Sequence, residues 1–166
     1  MKKIYGLALI GCVAMIGCLK NDDVKQCTPK TVESEKTAMT KFATDSAISV
    51  TTDPSGIMYE VIDPGTGAIP SGSSTVTAKY IGRLLNGRGF DSSYVRDPNG
   101  TSFPLNGVIA GWQLGIPKIK EGGKVKLIIP SSLAYGCTGA RNPYTGEITI
   151  PPDQPLYFYV ELVKAQ

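Results

Sequence analysis

Four cysteines and no histidine limit the chemistry open to this chain. Without imidazole there is no Ser-His or Cys-His nucleophile pair and no His-ligated metal. The cysteines do not replace it. Cys12 and Cys18 fall in an apolar leader, and Cys27 and Cys137 lie far apart with no Cys-x-x-Cys spacing. A reaction run here needs neither metal nor imidazole, and no cofactor is implied. What remains is a scatter of aromatics and polar residues, among them Tyr80, Phe90, Asp91, Arg96, Trp112, Tyr135 and Phe158. Taken singly, each has an ordinary reading. Most buried aromatics are core. Asp91 before Ser92-Ser93 suits a turn, and Arg96-Asp97-Pro98-Asn99-Gly100 is a plain exposed turn.

The elements that must position these residues are short. Gly 19 and Pro 12 point to many turns and brief strands rather than a helix bundle, and 42% hydrophobic residues are enough for a real core. Val76, Ala78, Tyr80, Gly82 and Leu84 alternate with Thr77, Lys79, Ile81 and Arg83. Val125, Leu127 and Ile129 follow the same period beside Lys124 and Lys126, as do Leu156, Phe158, Val160 and Leu162 beside Tyr157, Tyr159 and Glu161. Three half-buried strands need a cover. The run Ala110 to Ile116, with Trp112, Leu114 and Ile116, is the candidate, and Pro117 ends it. A short helix on a curved antiparallel sheet is an α+β domain. The formal charge is +3, two of the lysines are Lys2 and Lys3, and the rest are scattered, so nucleic acid is not an expected partner.

Two lysines and the apolar run Ile4 to Ile16 open the chain in signal-peptide form, and the run is too short to span a bilayer. It ends Met15-Ile16-Gly17-Cys18, which resembles a bacterial lipobox, although Met15 departs from the usual leucine. Leu9-Ile10-Gly11-Cys12 fits better locally but leaves too little apolar sequence before it. The alternative is an ordinary cleaved signal or an uncleaved anchor. The expected organisation is a signal peptide at 1–17, a lipid-anchored polar tether at 18–55 and a folded domain at 56–166. Within the tether, Thr31 to Ser46 suits a short helix with Ala38, Met39, Phe42 and Ala43 on one face. The expected location is the outer membrane of a Gram-negative envelope, on its periplasmic or surface side, held there by the lipid on Cys18.

From Gly56 to Lys164 the ordered fragments resemble the FKBP family of peptidyl-prolyl isomerases. They are Tyr80-Ile81-Gly82-Arg83-Leu84, Gly89-Phe90-Asp91-Ser92-Ser93, Val108-Ile109-Ala110-Gly111-Trp112 and Lys120-Glu121-Gly122-Gly123. They continue with Ile129-Pro130-Ser131-Ser132-Leu133-Ala134-Tyr135-Gly136, Ile150-Pro151-Pro152 and Phe158-Tyr159-Val160-Glu161-Leu162. The resemblance implies five or six antiparallel strands wrapped around one short helix. It implies a pocket of Tyr80, Phe90, Asp91, Val108, Ile109, Trp112, Tyr135, Ile150 and Phe158, with Trp112 as floor. Asp91 and Tyr135 would be the catalytic residues, the others would bind substrate, and Arg96 would support Asp91. Thr101 sits where many members carry an aromatic, which predicts a thinner wall, and the loop from Gly136 to Ile150 is longer than usual. The segment before Gly56 is too short to be the dimerisation arm of some relatives, so a monomer is expected.

The implied function is rotation of X-Pro bonds in exported polypeptides. Such rotation breaks amide resonance at a cost of about 18–20 kcal/mol and needs no nucleophile. An apolar cavity favours the twisted, less dipolar amide over the planar one, which is differential transition-state binding. The alternative is a chaperone or binding module on the same fold with weak isomerase activity. Once the leader is removed and Cys18 lipidated, Cys27 and Cys137 are the only thiols left, and an oxidising compartment would allow them to pair. They are either bridged, or a small filler and a free tether thiol.

Overall fold

A computed structural model describes residues 27–94 and 96–166. The leader at 1–17, Cys12 and Cys18 lie outside the described residues. In chain order the elements are α1 (Val32–Asp45), β1 (Thr51–Thr52), β2 (Met58–Asp63), β3 (Thr75–Leu84), β4 (Gly89–Ser92) and β5 (Thr101–Pro104). Then follow α2 (Ala110–Gly115), β6 (Lys124–Ile129), β7 (Ala140–Arg141), β8 (Ile148–Ile150) and β9 (Leu156–Ala165).

Period-two patterning places the three long strands at the centre of one antiparallel sheet, in the order β1-β2-β6-β9-β3-β4. β9 lies between β6 and β3, with Phe158 opposite Leu127 on one side and Gly82 on the other. The sheet has seven strands rather than five or six. The excess has two sources: the two-residue β1, and the sharing of one edge of β3 by β4 and β5. β7 and β8 form a separate small hairpin.

Val76, Ala78, Tyr80 and Leu84 on β3, Val125, Leu127 and Ile129 on β6, and Leu156, Phe158, Val160 and Leu162 on β9 share one core. α2 covers it. Its Gly111 and Gly115 lie one turn apart against the sheet, where a Cβ at either would strike Ile129 or Leu127; their absent side chains let the helix approach closely. Trp112 and Ile116 are buried, but Leu114 is exposed. A residue two positions from Trp112 lies on the opposite side of a helix, so only part of the expected apolar run faces the core.

The other face of the sheet is buried as well. Thr31 caps α1, its hydroxyl accepting the Ser34 N–H at 3.3 Å. Glu35, Met39, Phe42 and Ala43 then recur at the spacing of one helical face. Met39 and Ala43 join Ile48, Met58 and Ile128 in a second cluster, with Phe42 against Tyr157 at 5.4 Å between ring centroids. Ala38 is exposed. The stretch expected as a tether thus carries a helix docked on the sheet. A disulfide joins Cys27, ahead of that helix, to Cys137 after Tyr135, with Cα atoms 5.6 Å apart.

Candidate active site

β3 sends Tyr80 to the core face, β4 supplies Phe90 and Asp91, and β9 supplies Phe158. The turn into α2 brings Val108 and Ile109, and the helix brings Trp112. Together with Tyr135, Phe103 and Gly107 these residues enclose a cavity of about 360 Å³. Trp112 is its hub. Its indole meets Tyr80 at 5.0 Å and Phe158 at 5.1 Å, both edge to face, and Phe103 at 5.4 Å. Phe158 also meets Phe90 edge to face at 5.5 Å. Edge-to-face packing of this kind is favourable and holds rings apart from face-to-face contact. Gly82 makes the arrangement sterically feasible: a Cβ there would lie 2.7 Å from Phe90 and 2.9 Å from Phe158.

The polar groups gather on one wall. The Tyr80 hydroxyl donates to Asp91 Oδ2 at 2.7 Å and accepts from Arg96 Nη2 at 2.7 Å. Arg96 Nη1 pairs with Asp91 Oδ1 at 2.9 Å, and the Ser92 N–H donates to the same oxygen at 2.8 Å. The carboxylate is thereby satisfied at both oxygens. The ion pair lies at the rim, with the Arg96 side chain 57% exposed, so its own contribution to stability is small, about 0–1 kcal/mol. Its effect is to fix the Tyr80 hydroxyl. Burial, then the bond to Asp91, pushes the Tyr80 pKa up to about 12. Burial, then the Asp91 charge, raises that of Tyr135. Both phenols keep their protons at neutral pH and remain hydrogen-bond donors. Ile109 stands at the entry to α2 in extended conformation, its carbonyl taken by the N–H groups of Trp112 and Gln113. Among the described residues no group of three or more metal-ligating side chains occurs.

Of the nine residues expected to line the pocket, eight surround this cavity. Ile150 instead borders an adjoining depression of about 290 Å³, shared with Phe90, Asp91, Tyr135 and the β7–β8 hairpin. Arg96 pairs with Asp91 instead of standing in an unattached turn. Phe103 and Gly107 were not anticipated. The expected thinner wall at Thr101 is corrected by the structure: Phe103, two residues along the same face of β5, supplies the aromatic. Phe103 beside polar Ser102 was the one local hint, too short to show a period.

The match to known proteins follows the same geometry. The family model for FKBP-type peptidyl-prolyl cis-trans isomerases matches residues 67–163. The isomerase FkpA of Escherichia coli K12 is 43% identical over 123 residues, covering 74% of this chain and 42% of the relative. Mip of Coxiella burnetii is 37% identical over 133 residues, covering 80% and 55%. Among solved structures, a peptidyl-prolyl cis-trans isomerase from Pseudomonas syringae pv. tomato superposes with a TM-score of 0.65 at 31% identity, covering 84% of this chain and 98% of that one. The chain belongs to the FKBP-type peptidyl-prolyl cis-trans isomerase family. It spans about half the length of those two curated relatives.

Proposed function

We propose that the protein catalyses cis-trans isomerisation of X-Pro bonds in exported polypeptides. The observation that carries this reading is the aromatic enclosure around Trp112, large enough for a pyrrolidine ring, with Tyr80, Asp91 and Arg96 bonded to one another at its edge. The ring packs on the indole floor. The apolar walls favour the twisted amide, whose charge separation is smaller than that of the planar form. The Ile109 N–H and the Tyr135 hydroxyl orient the carbonyls beside the proline. Asp91 and Tyr80 chiefly shape the wall, and the field of Asp91 on the rotating carbonyl is a lesser contribution. The test is acceleration of rotation in a short X-Pro peptide, with activity retained under a chelator. Peptide binding without acceleration would support the alternative, a binding module or chaperone, which the hairpin-lined depression beside the cavity favours. Abolition of activity by the chelator would contradict the mechanism.

The leader supports a signal peptide at 1–17 and lipidation at Cys18, hence a place in a Gram-negative cell envelope. On that reading residues 18–55 lead from the membrane to the isomerase domain at 56–166, which acts as a monomer. Among the described residues no helix is long and apolar enough to cross a membrane. Metabolic labelling with a fatty acid tests the anchor: Cys18→Ser should lose the label and Cys12→Ser should keep it. The reverse result moves the cleavage site.

A further inference from the structure

Glu35 is a carboxyl group in the wrong place for a tether. It points from α1 into the protein, only 4% exposed, and both its oxygens accept from one residue. Oε2 takes the Ser131 N–H at 2.8 Å and Oε1 takes the Ser131 hydroxyl at 2.6 Å. Ser131 is fully buried, and its own carbonyl accepts the N–H groups of Ala134 at 2.9 Å and Gly136 at 2.8 Å. Those two residues flank Tyr135. The next residue, Cys137, is bonded to Cys27 on the approach to α1. The turn that presents Tyr135 is thus held at both ends by the segment before Gly56.

A buried carboxyl group is a poor stabiliser compared with an apolar residue of similar size. A fully satisfied polar network instead selects one conformation. Tyr135 needs such selection. It is 40% exposed, so close packing does not fix it and its place depends on the backbone of its turn. We propose that Glu35 is a positioning residue for the pocket: through Ser131 it fixes the turn that carries Tyr135. This rests on the isomerase reading for its effect on rate, but not for its effect on the turn.

The experiment is a double-mutant cycle in the full chain, read as kcat and KM on an X-Pro peptide. Glu35→Ala should lower kcat/KM by about fivefold, mostly in kcat, because misplacing a group that orients the substrate by a fraction of an ångström is costly. Glu35→Gln keeps an acceptor for the Ser131 N–H and should restore most of the rate. In a Tyr135→Ala background, Glu35→Ala should cost nothing more. A fall of equal size in both backgrounds, or no fall, overturns the proposal. If Glu35→Ala does not fold, Ser131→Ala, which keeps the backbone bond and loses the hydroxyl, should show the same pattern at about threefold. Hydrogen exchange decides independently of activity. The Ala134 and Gly136 amides should exchange about tenfold faster when either substitution is made, while those of Leu127 and Val160 stay unchanged. Unchanged Ala134 and Gly136 overturns the proposal. An inactive parent would overturn the isomerase reading, and the exchange result would still decide this one.

Discussion

The two faces of the central sheet are covered by one helix each, yet the aromatic-walled cavity lies on one face and the pockets beside α1 on the other are smaller. Around Trp112 of α2 the side chains are large rings meeting edge to face, which leave space between them. Under α1 they are Met39, Ala43, Ile48, Met58 and Ile128, flexible or small and able to fill gaps. The difference teaches that a pocket here follows from ring shape and from the glycines that admit the rings, such as Gly82. The α1 face does different work, gripping the turn at Ser131.

The contrast can be broken at several points. The disulfide bridges the α1 side to the pocket side and closes a loop of 110 residues in sequence. Reducing it should lower unfolding free energy by about 4–5 kcal/mol in the chain-entropy picture, seen as a shift in the urea midpoint. Trp112→Ala removes the hub of the aromatic enclosure; it should cost about 3–5 kcal/mol of stability and abolish most turnover in the protein that still folds. Met39→Ala opens a void of comparable kind on the other face. It should cost about 2–4 kcal/mol by urea unfolding yet leave the pocket's affinity for an X-Pro peptide intact. Loss of peptide affinity in that variant would show that the faces are not separable. Tyr135→Phe should lower kcat/KM by a few fold, on the order of 1 kcal/mol, with an unchanged melting temperature.

A smaller effect concerns the link between the turn after β1 and the segment that follows α2. Lys118, bonded to Asp53, holds the Asp53 pKa down to about 2, from an ordinary 3.8. A depressed carboxylate contributes its stabilisation above its unfolded pKa and loses it as pH falls toward 2. Lys118→Met should therefore weaken the protein at pH 7 and matter progressively less below pH 4, measured by urea unfolding across that range. Equal weakening at pH 7 and pH 2 would assign the effect to the Lys118 ammonium over the Tyr59 ring instead.

How much of this was readable in advance differs between the faces. Alternation in β3 and β9 marked the pocket side correctly, because a strand buried on one face repeats every second residue. The same rule hid the α1 side. In Leu127-Ile128-Ile129 the alternation assigns Leu127 and Ile129 to the core and leaves Ile128 looking like a surplus apolar residue, although it is fully buried beneath α1. Glu35 was invisible for a related reason: a glutamate early in a polar helix reads as solvated, and only tertiary structure brings Ser131 to it across 96 residues. Phe103 was overlooked because β5 is four residues long and has too few repeats to display a period. The cysteine pair could be proposed from composition, but whether its Cα atoms approach to bonding distance is a property of the fold.

The position of β9 bears on how the molecule can be made. This strand follows every other element in chain order, yet it forms the middle of the sheet, pairing with β6 on one flank and β3 on the other. A nascent chain that has not reached Leu156 therefore holds two half-sheets with no shared ladder, and Phe158 is missing from beside Trp112. Contacts so distant in sequence are also slow to form, since loop closure precedes any gain from pairing. Such a polypeptide stays open until its final strand emerges, a state that suits the export proposed above. It then acquires sheet, core and pocket together.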